Sequence, residues 1–315
     1  MDDAGQEETR DMKWVKRGLL LKPGEFDWMV AHAGLPFAEG LGGDLFRIYF
    51  YGRDNKNRSQ IGYAEVNINQ PKEILYITKK PVLALGSLGA FDDSGVMPSW
   101  VVDYNRKKYL YYTGWTVGVS VPFYFYIGLA VSRDGGKTFQ RFSKAPILER
   151  NGVDPYLTAS PCVINENGIW RMWYVSGLGW EIKSGKPEHF YHIKYAESKD
   201  GINWERRGVV CIDFKSDNEY AIARPCVLKE DGIYKMWYSY RGKSYRIGYA
   251  ESGDGIRWER KDDKAGIDVS ESGWDAEMIE YAFVFQHKGN KYMLYNGNGY
   301  SKTGLGYAMI NKQSG

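Results

Sequence analysis

One aromatic pattern recurs along the whole sequence. A strand-like segment rich in Tyr, Trp and Phe is followed each time by a second segment of the type IGYAES. The five pairs of segments begin at Phe46 and Ile61, Tyr109 and Ile127, Trp170 and Ile193, Tyr234 and Ile247, and Tyr292 and Leu305. Self-similarity at roughly 55 to 65 residues indicates a fold built from repeated units. The chain is therefore expected to be a set of like units with one shared plan.

Each unit contains two further strand-like segments. A short apolar run such as VMPSWVV or SPCVI precedes the aromatic segment, and an aromatic-led run such as WERRGVV follows the IGYAES segment. The last unit lacks this fourth run, but the N-terminal MKWVKRGLLL, which contains Trp14, resembles INWERRGVV. Units of four antiparallel strands are typical of β-propeller blades. The sequence predicts an all-β, five-bladed propeller of four-stranded antiparallel blades, with the N-terminal strand completing the last blade.

The composition agrees with an all-β chain. It includes 25 Tyr, 13 Phe and 11 Trp, with 37 Gly and 11 Pro, which favours many short strands and tight turns. We expect residues 1–315 to form one domain, with residues 1–11 as a flexible N-terminal tail.

Charge and targeting signals exclude several classes of partner. The formal net charge of +3, from 42 basic and 39 acidic residues, includes no basic stripe, so no nucleic-acid partner is expected. No signal-peptide pattern and no apolar run of membrane-spanning length occur, so a cytoplasmic protein without a membrane partner is predicted. The oligomeric state is left open.

Cysteine and histidine spacing predicts neither a metal site nor a cofactor. Cys162, Cys211 and Cys226 lie in apolar segments, where small buried thiols are the expected role. The four histidines are scattered along the chain and show no spacing typical of metal ligands.

The repeated DG turn is predicted to be structural. The turns at Asp134, Asp200 and Asp254 connect the third and fourth strands of three units. Short Asp side chains in such turns commonly bind the backbone of the turn itself. The turns would also lie on the face opposite the loops that lead into the inner strands, and those loops surround the mouth of a propeller channel.

Acidic residues in the loops leading to the inner strands are the candidate catalytic groups. They are Asp93, Asp154, Glu219 and Glu280. A glycosidase needs one protonated carboxyl group for the leaving oxygen and one ionised carboxylate to activate water or attack carbon. Glu280 lies within an apolar inner strand, where an ionised group needs a partner. A structural ion pair between neighbouring blades is the alternative role for it.

Candidate substrate-binding residues lie in the same loops and in the loops between the second and third strands. They are His32, Arg53, Trp180, Arg224, Arg241, Glu277, Tyr281, Asn296 and Asn298. Guanidinium and amide groups beside aromatic rings suit a ligand that is rich in hydroxyls or carries an anionic group.

The phrases SPCVINENGIWRMWYVSG, RPCVLKEDGIYKMWYSYRG and GWDAEMIEYAFVFQHKGNKYMLYNGNGYSKTGLGYA resemble the five-bladed glycoside hydrolase superfamily, which includes families 32, 43, 68 and 130. The sequence looks closest to uncharacterised hydrolase-like members associated with bacterial surface-polysaccharide synthesis. This resemblance implies the propeller fold and a carbohydrate or sugar-conjugate ligand. The WMNDPNG, WAPD and EGP phrases that carry the catalytic acids of families 32 and 43 are absent.

Together these features predict a glycoside hydrolase-like enzyme that acts on a small or activated sugar through carboxylates at the channel mouth. Two alternatives stay open. One is a glycoside phosphorylase, in which Arg53, Arg224 and Arg241 hold a phosphate that replaces the attacking water. The other is a non-catalytic carbohydrate-binding propeller.

Overall fold

The computed structural model describes residues 12–311, and the expected flexibility of residues 1–11 lies outside this range. The all-β prediction is confirmed. Three short helical segments occur among the described residues, at Asp27–Met29, Asp262–Lys264 and Asn298–Ser301, of which the last is labelled α1.

The strands of residues 12–311 fall into five consecutive groups. Group 1 contains β2 (Ala31–Gly42), β3 (Leu45–Arg53), β4 (Ser59–Asn67) and β5 (Ile74–Ile77). Group 2 contains β6 (Gly95–Tyr104), β7 (Lys107–Val117), β8 (Phe123–Ser132) and β9 (Gln140–Arg141). Group 3 contains β10 (Thr158–Glu166), β11 (Ile169–Lys183), β12 (Lys186–Ser198) and β13 (Trp204–Ile212). Group 4 contains β14 (Ala221–Glu230), β15 (Ile233–Arg241), β16 (Tyr245–Ser252) and β17 (Glu259–Arg260). Group 5 contains β18 (Glu280–His287), β19 (Asn290–Asn296), β20 (Leu305–Ile310) and β1 (Val15–Leu21).

Consecutive strands within each group pair antiparallel, and two groups are joined to the next by a parallel contact. Ser59 of β4 pairs with Gly95 of β6, and Tyr191 of β12 pairs with Ala221 of β14. These contacts link groups 1 and 2 and groups 3 and 4 into two mixed sheets.

The N-terminal strand completes group 5. Residues of β1 pair antiparallel with β20, and Val15 lies opposite Met309. The backbone N–H of Trp14 donates to the carbonyl of Gly266, and its ring packs edge-on against Trp237 of β15. The first and last strands of residues 12–311 are thus paired in one sheet, which protects the edge of β20.

The repeated aromatic residues fill the core at equivalent positions. The second and third strands of successive groups bring together Tyr49 and Tyr63, Tyr111 and Leu129, Trp173 and Tyr195, Trp237 and Tyr249, and Leu294 and Tyr307. All ten side chains are buried, so each group contributes one layer of large apolar side chains to the packing between groups.

The DG turns form hydrogen bonds with their own backbone and with the preceding strand group. Oδ1 of Asp200 accepts the backbone N–H groups of Ile202 and Asn203, each at 2.8 Å. The carbonyl of Gly201 accepts the Tyr111 hydroxyl of group 2 at 2.8 Å. The equivalent carbonyl of Gly255 accepts the Trp173 indole N–H at 2.7 Å. The turns of groups 3 and 4 therefore hydrogen-bond each group to the one before it.

The cysteines are free and buried, and two of them also accept backbone hydrogen bonds from the next group. Cys162 Sγ accepts the N–H of Val227, and Cys226 Sγ accepts the N–H of Val284. Among residues 12–311, no cluster of three or more His, Cys, Asp or Glu side chains is suited to hold a metal ion. No helix of these residues is long and apolar enough to span a bilayer.

Candidate functional site

A cavity of about 670 Å³ is lined by residues from all five strand groups. Group 5 contributes Tyr281 and Tyr300 to its lining. Tyr51 of group 1, Tyr191 of group 3 and Tyr245 of group 4 join them. We call these five residues the tyrosine wall. A cavity of this size falls within the range that holds small-molecule ligands, about 300–1,000 Å³.

Glu280 is a fully buried carboxyl group that precedes Tyr281 of the tyrosine wall and is not itself part of the cavity lining formed by residues 12–311. Its Oε1 lies 3.4 Å from Nδ2 of Asn296, and its Oε2 has no hydrogen-bond partner within residues 12–311. Burial raises the pKa of Glu280 to about 8, against the opposing effects of Asn296 and Arg241. Glu280 is therefore protonated at neutral pH.

The tyrosine wall surrounds this carboxyl group. Burial raises the pKa of each of its five hydroxyls, and the negative charge that Glu280 can carry adds to every one of these shifts. The hydroxyls of Tyr191 and Tyr245 are 2.5 Å apart. The Tyr51 hydroxyl donates to the carbonyl of Tyr300 at 3.1 Å. At neutral pH the wall therefore offers neutral hydroxyl groups beside a neutral acid.

The loop after β19 places Tyr300 in the wall. Gly299, Tyr300 and Ser301 all adopt the left-handed region, with φ of 64°, 58° and 70°. Asn298 holds the start of the loop, because its Oδ1 accepts the N–H of Glu277 at 2.8 Å and its Nδ2 donates to Gly273. Backbone strain of this kind persists where surrounding contacts enforce it and often marks functional sites.

A glycine allows this loop to approach β2. A Cβ at Gly34 would lie 2.4 Å from Oγ of Ser301 and 2.9 Å from Nδ2 of Asn296. Gly34 occupies the position in group 1 that Glu280 occupies in group 5, two residues before Pro36 and Ala282 respectively. The absence of a side chain here leaves space for Asn296 beside Glu280.

Basic side chains form a second side of the cavity. Arg53, Lys56 and Arg58 line it from the β3–β4 connection, and we call them the basic cluster. Arg53 Nη1 donates to Oδ1 of Asn57 at 2.8 Å, and Arg58 forms an ion pair with Asp54 at 2.7 Å. The charges of Arg53 and Lys56 have no acidic partner among the ion pairs of residues 12–311.

Arg241 packs against the tyrosine wall. Its guanidinium group lies over the rings of Tyr220, Tyr245 and Tyr300, with centroid distances of 5.0, 5.5 and 5.6 Å. Cation–π contacts hold the guanidinium without neutralising its charge. Arg241 therefore adds positive potential near Glu280.

Two neutral histidines pack against the wall. His32 stacks on Tyr51, and His189, which lines the cavity, stacks on Tyr191 at 4.8 Å. Burial, followed by the charge of nearby arginines, lowers the pKa of each to about 4. Trp180 packs edge-on against His189 and Phe123, so it supports the lining from outside the cavity.

The structure places Asp154 in a buried cluster of its own. It accepts hydrogen bonds from Tyr174 at 3.0 Å, Ser176 at 2.6 Å and Arg206 at 3.0 Å. Lys194 also lies 3.3 Å from it. The same combination of Asp, Tyr and a basic residue recurs as Asp92 with Tyr112 and Arg141, and as Asp275 with Tyr295 and Lys16. Asp154 is thus one copy of a repeated contact within the strand groups.

The other candidate acids also lie apart from Glu280. Glu219 forms hydrogen bonds of 2.7 and 3.0 Å with Arg260, and Asp93 accepts the N–H of Gly89 and the hydroxyl of Ser94. Glu277 is exposed. Among the described residues, the cavity lining includes no carboxyl group, and Glu280 is the candidate acid that adjoins it, through its neighbour Tyr281.

Arg224 lies in the core and not in the cavity lining of residues 12–311. It is 1% exposed, and its two terminal nitrogens donate to the carbonyls of Ser99 at 2.7 Å and Pro36 at 2.9 Å. It thereby connects β14 with β6 and β2. Its neighbour Ala223 contributes to the cavity instead.

Of the sequence candidates, the structure therefore places Arg53 and Tyr281 in the cavity lining. His32 and Arg241 pack against the tyrosine wall, and Asn296 contacts Glu280, the residue before Tyr281. Sequence reasoning missed Tyr51, Tyr191, Tyr245 and Tyr300. A signal existed for two of them, because Tyr191 and Tyr245 stand two residues before the Ile of the repeated IKYAES and IGYAES segments. The tyrosines of a repeat that is rich in aromatics could not be sorted into core and cavity residues from the sequence.

Comparison with solved structures defines the class of fold. A thermostable family-43 glycoside hydrolase aligns with a TM-score of 0.64 and 20% sequence identity, over 92% of this chain and 91% of that one. A glycosyl hydrolase from Bacteroides ovatus aligns with a TM-score of 0.65 and 16% identity, over 90% of this chain and 85% of that one. The protein has the fold of glycoside hydrolases.

Sequence relatives then define the family. No protein-family model matches the chain. The uncharacterised proteins Rv1502 and MT1551 of two Mycobacterium tuberculosis strains are each 44% identical over 300 residues, 95% of this chain and 99% of theirs. The chain belongs to the same family as these two proteins. The 1,2-beta-oligomannan phosphorylase of Thermoanaerobacter sp. is 31% identical over 162 residues, which are 47% of this chain and 53% of that protein.

Proposed function

We propose that the protein is a glycoside phosphorylase in which Glu280 donates a proton to the leaving oxygen and the basic cluster binds phosphate. The observation that carries this proposal is the buried carboxyl group of Glu280 next to the cavity-lining Tyr281, since its Oε2 has no partner among residues 12–311 and its pKa is raised to about 8. A general acid works best when its pKa lies near the working pH.

The number of carboxyl groups favours phosphate over water as the attacking group. Hydrolysis commonly uses two carboxyl groups that flank the scissile bond, at most about 9.5 Å apart. Asp93, Asp154 and Glu219 are held by other groups, whereas Oε2 of Glu280 has no hydrogen-bond partner among residues 12–311. Phosphate is itself a nucleophile and needs no activating carboxylate, whereas it does need cations to bind it. The basic cluster of Arg53, Lys56 and Arg58 supplies these cations.

The reaction proceeds in one displacement. A phosphate oxygen attacks the anomeric carbon while the bond between that carbon and the glycosidic oxygen breaks. The proton of Glu280 passes to the departing oxygen, so the products are a sugar 1-phosphate and a free alcohol. Glu280 then regains a proton through solvent, and the proton that hydrogenphosphate loses on becoming the sugar phosphate dianion balances it. Arg241 contributes positive potential that stabilises the transient Glu280 carboxylate.

One of the relatives described above supports a glycoside as the substrate. The partial match to a 1,2-beta-oligomannan phosphorylase makes β-1,2-linked mannosides the first substrates to test. We further propose that strand groups 1 to 5 are the blades of a single five-bladed propeller domain, with the cavity at the mouth of its channel. The equivalent core positions and the β1–β20 pairing support this arrangement.

Hydrolysis is the second candidate, favoured by the glycoside hydrolases among the structural neighbours. Water would then replace phosphate in the same cavity. The two reactions differ in their products. Hydrolysis releases a sugar with a free anomeric hydroxyl, whereas phosphorolysis releases a sugar 1-phosphate.

The test is to incubate the purified protein with β-1,2-mannobiose, with and without inorganic phosphate. The products are followed by phosphorus NMR and by chromatography of the released sugars. Phosphate-dependent release of mannose 1-phosphate is the expected result. Release of mannose that does not depend on phosphate would show hydrolysis. A screen of gluco-, galacto- and mannobioses and of the corresponding n-hexyl glycosides without phosphate-dependent turnover of any of them would overturn the proposal.

A further inference from the structure

The wall of the cavity that is supplied by strand group 2 is mostly apolar. Six of its eight lining residues are Met97, Trp115, Val117, Pro122, Phe123 and Phe125, which we call the apolar wall, and the other two are Ser94 and Thr113. The tyrosine wall, by contrast, is contributed by groups 1, 3, 4 and 5. One cavity therefore joins a surface of hydroxyl groups to a surface of hydrocarbon.

The apolar wall has few free hydrogen-bonding groups for a sugar. The rings of Phe123 and Phe125 stack on each other at 4.1 Å, and the indole N–H of Trp115 already donates to Oγ of Ser59 at 2.7 Å. The two hydroxyl residues of the group 2 lining are also engaged, because Thr113 Oγ1 accepts the N–H of Ser160 and the Ser94 hydroxyl donates to Asp93. A sugar ring placed along this wall would lose hydrogen bonds to water without replacing them, which is unfavourable.

Hydrocarbon continues from the wall to the protein surface. The connection between β7 and β8 reads VGVSVP, with Val117 64% exposed and Val119 fully exposed. Pro122 of the same connection lines the cavity and is exposed as well. Contiguous exposed apolar side chains at the edge of a ligand cavity indicate a binding surface for an apolar group.

We propose that the substrate is a glycoside with an apolar aglycone, a hydrocarbon chain or ring that lies along the apolar wall. The sugar to be transferred then lies against the tyrosine wall and Glu280. This inference rests on the proposed function for the placement of the sugar. The volume of about 670 Å³ accommodates both parts of such a ligand.

The test compares the binding of n-hexyl and methyl glycopyranosides that carry the same sugar. Glucose, galactose and mannose derivatives are titrated by isothermal calorimetry without phosphate, below the concentration at which the hexyl compound forms micelles. We expect at least one hexyl glycoside to bind tenfold or more tightly than its methyl counterpart. Burial of about two methylene groups is sufficient for a change of this size.

A double variant locates the hexyl chain. Val117→Asn with Pro122→Ser changes only exposed side chains of the apolar wall, and it should lower the ratio of hexyl to methyl affinity at least threefold. The matched control is Ile182→Asn, a similarly exposed aliphatic residue of the β11–β12 hairpin outside the cavity lining of residues 12–311, and it should leave the ratio unchanged.

Three results would overturn the inference: equal affinities for hexyl and methyl compounds, no binding of any hexyl glycoside, or the same ratio in the double variant. Since the titration involves no turnover, its outcome is separate from that of the proposed reaction. A protein that prefers hexyl glycosides but shows no phosphorolysis would contradict the proposed reaction and leave the apolar aglycone supported.

Discussion

Asn296 lies directly opposite Glu280 in the β18–β19 pair, and its Nδ2 is 3.4 Å from Oε1 of Glu280. The orientation of the amide is fixed by its other end, because Oδ1 accepts the backbone N–H of Leu35 at 3.0 Å. Asn296 thus connects β19 of group 5 with β2 of group 1 and presents its donor to the carboxyl group. The remaining oxygen of Glu280, Oε2, has no hydrogen-bond partner among residues 12–311.

Replacement of Glu280 by Gln should abolish proton donation while retaining the shape of the side chain. General acid catalysis typically contributes about 10²- to 10⁴-fold to a rate, so kcat/KM should fall by that factor. The measurement is initial-rate kinetics of phosphate-dependent sugar release. Glu259→Gln, which alters an exposed carboxylate of β17, is the matched control and should retain the full rate. An E280Q enzyme as active as the wild type would rule out Glu280 as the proton donor.

The same substitution should change the pH dependence of stability. The pKa of Glu280 is about 8 in the folded protein against 4.5 as its ordinary value. Its protonated form therefore contributes stability that is fully present below about pH 4.5 and is lost as the pH rises towards 8. Each pH unit in that window removes up to about 1.4 kcal/mol from the free energy of unfolding of the wild type.

E280Q lacks this titration, so its stability relative to the wild type should increase steadily from pH 5 to pH 8. Urea denaturation of both proteins at each pH provides the measurement. A difference between the two proteins that stays constant over this range would show that the Glu280 pKa is not raised.

The basic cluster gives a prediction for phosphate affinity. Arg53→Met keeps most of the length of the side chain but removes a cation from the cavity lining. A hydrogen bond to a charged group contributes about 1.5–3 kcal/mol, so KM for phosphate should increase by tenfold to about 100-fold. KM for the sugar should change much less. Arg207→Met, at an exposed arginine of β13, is the control, and an unchanged phosphate KM in R53M would argue against the basic cluster as the phosphate site.

The repeat was sufficient to predict the all-β fold and the pairing of the N-terminal segment with the last strand, because aromatic periodicity and strand order are local features of the sequence. Glu280 was also singled out, since a carboxyl group stood where the other units have Gly34, Val96, Ala159 and Ala223. The grouping of Glu280 with tyrosines from four strand groups depends on how the groups pack. That packing joins residues more than 200 positions apart, such as Tyr51 and Ser301, and no local pattern records it.

The structural role of the candidate acid Asp154 could not be predicted from the sequence. Its loop position resembles that of a catalytic acid, but its contacts with Tyr174, Ser176 and Arg206 recur around Asp92 and Asp275. An acidic residue that forms structural hydrogen bonds within a strand group cannot be distinguished in the sequence from one that takes part in catalysis. Only the partners of the carboxylate distinguish them.

Asp154→Asn should therefore affect stability and not turnover. The substitution leaves the charges of Lys194 and Arg206 without their buried carboxylate, a change that typically costs about 3–5 kcal/mol when one partner of a buried pair is removed. The free energy of unfolding from urea denaturation should fall by that amount, whereas kcat/KM per folded molecule should stay within about twofold of the wild type at low temperature. Asp213→Asn, at an exposed acid near the end of β13, should change neither quantity. A D154N protein of normal stability that has lost its turnover would instead identify Asp154 as a catalytic group.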